Sequence, residues 1–159
     1  KKMIYKSKNN KMKKILTVLF LMVTLNAYSQ FEVSSSLGQG IKFNNDFDYT
    51  LYQSTVSIQA GFTFEKFTLN SISTSVITDS VTSFYAGIQP AFTFWEDGTQ
   101  QKKMQVSGLA MIGTEGNKLA GLGFAYSKDK LTFGVNAMRE IQLNETWIEF
   151  VLGFSLYSE

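Results

Sequence analysis

The chain has 159 residues, with 15 lysines and arginines, 13 aspartates and glutamates, no histidine, no cysteine and one proline. Without histidine or cysteine there is no Ser-His-Asp or Cys-His machinery, no zinc site of the usual kind, no disulfide and no acylated lipoprotein cysteine. The charge is lopsided: seven basic residues precede residue 15, whereas after residue 29 eight basic residues face thirteen acidic ones, a net of −5 that argues against nucleic acid as a partner.

In chain order, residues 1–11 (KKMIYKSKNNK) carry no pattern and read as a spurious or unstructured leader ahead of a start at Met12. Residues 12–29 have the three regions of a secretory signal peptide: Lys13 and Lys14, an apolar run from Ile15 to Leu25, and Ala27 and Ser29 at the −3 and −1 positions of a cut before Gln30. That run is expected to be helical, and its eleven residues fall short of the roughly 20 that span a bilayer. The mature chain is then 30–159, exported from the cytoplasm.

Beyond Gln30 the apolar period is two, the signature of strands. A first strand begins with Phe31, Val33, Ser35 and Leu37. Val56, Ile58, Ala60, Phe62 and Phe64 share one parity, and so do Phe84, Ala86, Ile88, Phe92 and Phe94; Leu131, Phe133, Val135 and Ala137; and Ile148, Phe150, Leu152, Phe154 and Leu156. Segments 67–77, 104–113 and 119–126 are less regular, for a total of eight. Four strand endings repeat (Gly61-Phe62-Thr63-Phe64, Ala91-Phe92-Thr93-Phe94, Gly123-Phe124-Ala125-Tyr126 and Gly153-Phe154-Ser155-Leu156), with the first phenylalanines 30, 32 and 30 residues apart. About thirty residues is one hairpin of two strands, so four copies predict an up-and-down meander of even strand number. Tight turns follow three of these endings, at 65–66, 96–99 and 128–130. Longer links are expected at 38–50, about 77–81, 114–118 and 139–145, and this asymmetry is that of a transmembrane barrel.

Charge placement separates a barrel apolar outside from one apolar inside. Within the strand cores only Glu32 and Glu149 are charged, and the polar parity is Ser, Thr, Gly and Gln, small enough for a narrow lumen. Aromatics cluster beside the tight turns, where Phe62, Phe64, Phe92, Phe94, Trp95, Phe124, Tyr126 and Phe154 are expected to form a periplasmic girdle. Phe43, Tyr49, Tyr52, Phe84 and Trp147 are assigned to the opposite band. Pro90, inside a strand, argues the other way, because a closed barrel has no edge on which a missing N–H is harmless.

The signal, the eight alternating strands and the terminal Ile148/Phe150/Leu152/Phe154/Leu156 row resemble the small, porin-like eight-stranded outer-membrane β-barrels of Gram-negative bacteria. The resemblance covers the mature chain, although Tyr157-Ser158-Glu159 departs from the strictly terminal aromatic of that family. It implies an all-β, eight-stranded antiparallel up-and-down transmembrane β-barrel behind a helical signal peptide, with outer-membrane lipid and the barrel-insertion machinery as partners. It also implies a catalytic histidine in the enzymatic branches, which this chain lacks. No catalytic, cofactor-binding or metal-binding residue is therefore expected.

Glu149, Tyr85 and Gln89 are the polar candidates for the lumen, with Glu149 hydrogen-bonded to neighbours such as Tyr85 or a glutamine. Asp46 and Asp48 lack the spacing of a calcium loop. Arg139 is placed at the outer rim, as a snorkelling side chain or a partner for lipid phosphate. Asp46, Asp48, Asp79, Glu115, Glu140 and Glu145 against Lys42, Lys118 and Arg139 read as a solvated set of loops with net charge −3. Three functions stay open: an envelope or surface-interaction barrel, a narrow channel lined by Gly61, Gly87, Gly121 and Gly153, and a soluble periplasmic ligand barrel.

N-terminal sequencing of the protein purified from membranes is expected to begin at Gln30; a start at or before Met12 would show that residues 12–29 are an anchor.

Overall fold

The computed structural model describes residues 30–158, apart from positions 45, 47, 80 and 100. The expected leader and signal lie outside the described residues. Eight strands follow one another: β1 (Gln30–Phe43), β2 (Tyr49–Phe64), β3 (Phe67–Ile77), β4 (Thr82–Glu96), β5 (Lys102–Gly113), β6 (Lys118–Lys128), β7 (Leu131–Glu140) and β8 (Glu145–Ser158). Each pairs with its neighbour in sequence, and β1 pairs antiparallel with β8, so the sheet closes into a barrel. The seam runs through Leu37↔Leu152 and Lys42↔Trp147, with one irregularity between Val33 and Ser34.

The rim that carries both chain ends (the terminal rim) has two two-residue turns, at 65–66 and 129–130, and a longer connection over 97–101. Glu65 and Asp129 both take φ of 52°, the left-handed conformation that two-residue hairpin turns require. The connections at the far rim, 44–48, 78–81, 114–117 and 141–144, are shorter than the sequence suggests. β1 continues through Phe43 and β2 starts at Tyr49, so most of 38–50 is strand, as is Arg139–Glu140. Lys42 and Glu140 look like loop residues in the sequence because they are polar, yet they point into the barrel.

Pro90 is accommodated without opening the sheet. On the β3 side it pairs with Leu69, while on the β5 side the ladder passes from Ile88↔Ala110 to Ala91↔Ser107 and skips the two residues between. The missing N–H thus costs a local gap and no shift in register. Gly108 lies on the facing strand, where a Cβ would stand 3.7 Å from Pro90 Cγ. The bulge on this pair comes later, between Thr93 and Trp95 near the terminal rim.

The apolar parity faces outward. Phe62, Phe92, Phe124 and Phe154 are all exposed on the outer wall, and Phe92 and Phe124 share one register row through Val106. Phe94 and Trp95 are exposed beside them, with Phe64 and Tyr126 half-buried on the same wall. Phe94 meets Phe124 at 6.1 Å between ring centroids, and Phe31 meets Phe62 at 5.1 Å. Exposed charges on the strands, Glu96, Lys102, Lys118, Lys128 and Arg139, all sit at strand ends. A soluble ligand barrel would hold these phenylalanines inside and its charges outside, the reverse of what is observed. A wall this apolar is stable only where no water competes, and closure leaves no sheet edge to be satisfied.

Leu152 lies midway along β8 on that wall, between Leu37 and Phe133. Replacing it with arginine is expected to cost ~2–4 kcal/mol in urea unfolding from lipid vesicles. Gly153→Arg, on the lumen side against Ser36 and Thr132, is expected to cost less. Equal folding of Leu152→Arg and the parent would refute the assignment of faces.

Candidate functional site

The lumen is built in three levels from the inward parity of all eight strands. Nearest the terminal rim is a polar vestibule of about 110 Å³, lined by Gln59, Thr68, Asn70, Gln89, Gln105, Ser107 and Asn136 among others. Gln105 Nε2 donates to Thr93 Oγ1 at 3.0 Å, Gln89 Nε2 to Ser107 Oγ at 3.3 Å, and Asn70 Nδ2 to Gln89 Oε1 at 3.5 Å. Lys103 and Glu32 form an ion pair of 3.7 Å among its lining residues. Gln89 lines the vestibule and serves its hydrogen-bond network.

Glu149 occupies the middle level and is buried. Thr55 Oγ1 donates to its Oε1, and Asn136 Nδ2 donates to its Oε2 at 3.0 Å. Among the described residues its partners are neutral, and neither Tyr85 nor a glutamine is among them. Ser57 and Thr74 share a hydrogen bond of 2.8 Å nearby. A space of about 20 Å³ beside Glu149, about the size of one water, shares Ser36, Gln59, Asn136 and Val151 with the vestibule lining. Around it closes an apolar waist of Ile72, Val76, Leu109, Met111, Leu119 and Met138. The sequence reading missed this waist, which comes from β3, β5 and β6, the strands of blurred parity, together with Met138 of β7.

The far-rim level holds the charges. Lys42 Nζ lies 3.0 Å from Glu140 Oε2 and 3.0 Å from Glu145 Oε2. It also sits 4.3 Å from the centroid of the Trp147 ring. Tyr85 packs edge-on against Trp147 at 5.7 Å, and its hydroxyl donates to Glu140 Oε1 at 3.4 Å. Trp147, Gln53 and Glu140 are each 1% exposed, so the barrel is filled at this level. Trp147 Nε1 and both polar atoms of the Gln53 amide have no hydrogen-bond partner among the described residues.

Two expectations are corrected by this level. Trp147 is a lumen residue and takes no part in an outer aromatic band. Lys42, Glu140 and Glu145 are inward and ion-paired, and they leave the solvated loop set. Lys42 had a visible signal in its parity: Gly38, Gly40 and Lys42 alternate with Leu37, Gln39 and Ile41. Extending β1 five residues, from Leu37 to Lys42, places it inside.

At the far rim Arg139 is outward and exposed, with NH1 donating to Thr146 Oγ1 at 3.2 Å and NH2 to Asn144 Oδ1. The backbone amides of Asp46 and Asp48 both donate to Asn44 Oδ1, at 2.9 and 2.8 Å, so this carboxamide organises the first loop.

Of the four glycines assigned to a channel, Gly153 lines the vestibule, whereas Gly61, Gly87 and Gly121 are packed tightly against neighbouring strands. A Cβ at Gly61 would collide with Asn70, and one at Gly87 would collide with the Ala110 carbonyl. Their missing side chains let neighbouring strands and lumen groups approach closely.

No family model matches the chain, and no curated protein matches it. Among solved structures, the chain is similar to neisserial surface protein A, with a TM-score of 0.63 at 10% identity over 79% of this chain and 97% of that one. A de novo designed transmembrane β-barrel aligns with a TM-score of 0.48 at 10% identity, over 77% of this chain and 95% of that one. The chain has the fold of a transmembrane β-barrel.

Lys42→Met is expected to destabilise the barrel by about 3–5 kcal/mol in urea unfolding, because it leaves Glu140 buried without its countercharge. Adding Glu140→Leu is expected to recover most of that loss. Additive losses in the double variant would show that the two side chains do not act as a pair.

Proposed function

We propose that the protein is a non-enzymatic integral barrel of the outer membrane, with a sealed lumen and a role in envelope structure or surface interaction. The observation that carries this reading is the pairing of an apolar outer wall, whose exposed charges are confined to the strand ends, with a lumen filled by Trp147, Lys42 and Glu140. The wall suits hydrocarbon, and the filled level opposes conduction. The terminal rim faces the periplasm, since a chain exported and then inserted leaves both ends there, beside the girdle of Phe62, Phe92, Phe124 and Phe154. Outer-membrane lipid surrounds the wall, and the barrel-insertion machinery receives the β8 row. The chemistry supports a non-catalytic role: the chain has no histidine or cysteine, and Glu140 and Glu145 are occupied by Lys42. With four or five residues in each far-rim connection, surface contact there is made by a compact rim including Arg139, Lys118 and Ile141.

In planar bilayers the purified protein is expected to insert without stepwise conductance, and to migrate differently on gels before and after boiling. Regular unitary currents from the parent chain would overturn the sealed-lumen reading in favour of a narrow channel.

A further inference from the structure

Among the described residues, Glu149 is the lumen charge that has no countercharge. Its two oxygens accept from Thr55 Oγ1 and Asn136 Nδ2, both neutral, and acceptance at both oxygens is the pattern of an ionised carboxylate. Lys42 stands two residues beyond Gly40, which pairs with Glu149 across the seam, and its ammonium is shared by Glu140 and Glu145. Lys103 is taken by Glu32 among the vestibule residues. Two ammonium groups therefore meet four carboxylates inside the barrel, a net of −2. A buried negative charge that the chain leaves unbalanced is costly, and in a medium of low dielectric it draws a cation strongly.

The space of about 20 Å³ beside Glu149 is equipped to receive one. Its lining joins the carboxylate to the hydroxyls of Ser36 and Thr55 and the carboxamides of Gln59 and Asn136. Ser36 is 7% exposed, and its hydroxyl has no hydrogen-bond partner among the described residues. The Gln59 carboxamide has none either. Ser36 and Gln59 border both this space and the vestibule, so unsatisfied polar groups mark the way from the terminal rim to Glu149. Toward the far rim the way is shut by Trp147, which is 1% exposed.

We infer that Glu149 and Ser36 form the centre of a binding site for a monovalent alkali cation, entered from the vestibule. Oxygen ligands suit hard cations, and metals that seek imidazole or thiolate find no ligand in a chain without histidine or cysteine. Calcium sites gather several carboxylates, whereas one carboxylate among neutral oxygens balances one positive charge. A space the size of one water excludes an organic ammonium. The ion enters and leaves by the same side and serves as the missing countercharge, so the site is compatible with a sealed lumen. Nothing in it depends on what surrounds the outer wall.

Urea unfolding of the purified barrel in detergent, at constant pH and ionic strength, compares sodium and potassium chloride with N-methyl-D-glucamine chloride, whose cation is too large for the space. The parent is expected to unfold at higher urea in at least one alkali chloride, with an unfolding constant about tenfold lower once that ion exceeds its dissociation constant tenfold. Glu149→Gln keeps the shape and removes the charge; it is expected to lose the difference between salts while keeping the unboiled gel shift of a folded barrel. Ser36→Val keeps the carboxylate and fills the space, and it is expected to lose the difference as well, which carries the test should Glu149→Gln not fold. A parent equally stable in all three salts would overturn the inference and leave Glu149 neutralised by its own proton. A difference that persists in folded Glu149→Gln or Ser36→Val would overturn it too, because the ion would then act elsewhere.

Discussion

A backbone that crosses hydrocarbon must satisfy every N–H and C=O within itself, and for strands the only complete solution is a closed sheet. The β1–β8 seam supplies that closure, and the remaining features are consequences of it. With the sheet closed, parity divides every strand into a wall and a lumen, and the two surfaces meet different solvents. The wall keeps its charges at the strand ends. The lumen, too narrow for bulk water, must pair or pack whatever enters it, and so Lys42 is flanked by two carboxylates and an indole ring.

The three levels of the lumen follow from what is available to satisfy polar groups at each depth. Near the terminal rim, amides and hydroxyls line an open space and bond loosely, at 3.3 and 3.5 Å for two of their contacts. At mid-depth the side chains of Ile72, Leu109 and Met111 remove that space, and Glu149 keeps its two neutral donors. Above them the charges close the barrel. A buried ionic cluster is a poor source of net stability but a strict one in geometry, because any displacement leaves a charge unpaired.

The wall and the strand count were legible in the sequence because alternation and the phenylalanine repeat are local signals. Phe62, Phe92, Phe124 and Phe154 announced their side by parity alone. The lumen was legible only as composition. Parity places Glu149, Tyr85 and Gln89 in it but says nothing of their partners, since Glu149 meets Thr55 across 94 residues and Lys42 meets Glu140 across 98. Spacing along the chain carries no information about contacts across a barrel. The strands of blurred parity hid two features at once: apolar residues turned inward, as at Ile72 and Met111, and small ones turned outward, as at Ser73 and Ala110. Strand ends were misjudged for a related reason, because an inward polar residue such as Lys42 or Glu140 looks like a loop residue until its pairing is known.

Every strand pairing except one joins neighbours in sequence, so seven hairpin contacts can zip up locally while β1 and β8 must find each other across the whole chain. Loop-closure entropy concentrates the slow step of assembly at that join. Lys42 stands on β1, while Glu145 and Glu140 stand on β8 and β7, so the ammonium bridges the late-forming seam. A slip of one residue would turn Lys42 out toward lipid and strand two acids inside, and a slip of two would stretch both ion pairs by a strand repeat of about 7 Å. The cluster thereby acts as a proofreading element for folding: it rewards a single alignment of the last two strands to meet, at a moment when hydrophobic matching along the wall alone would accept several.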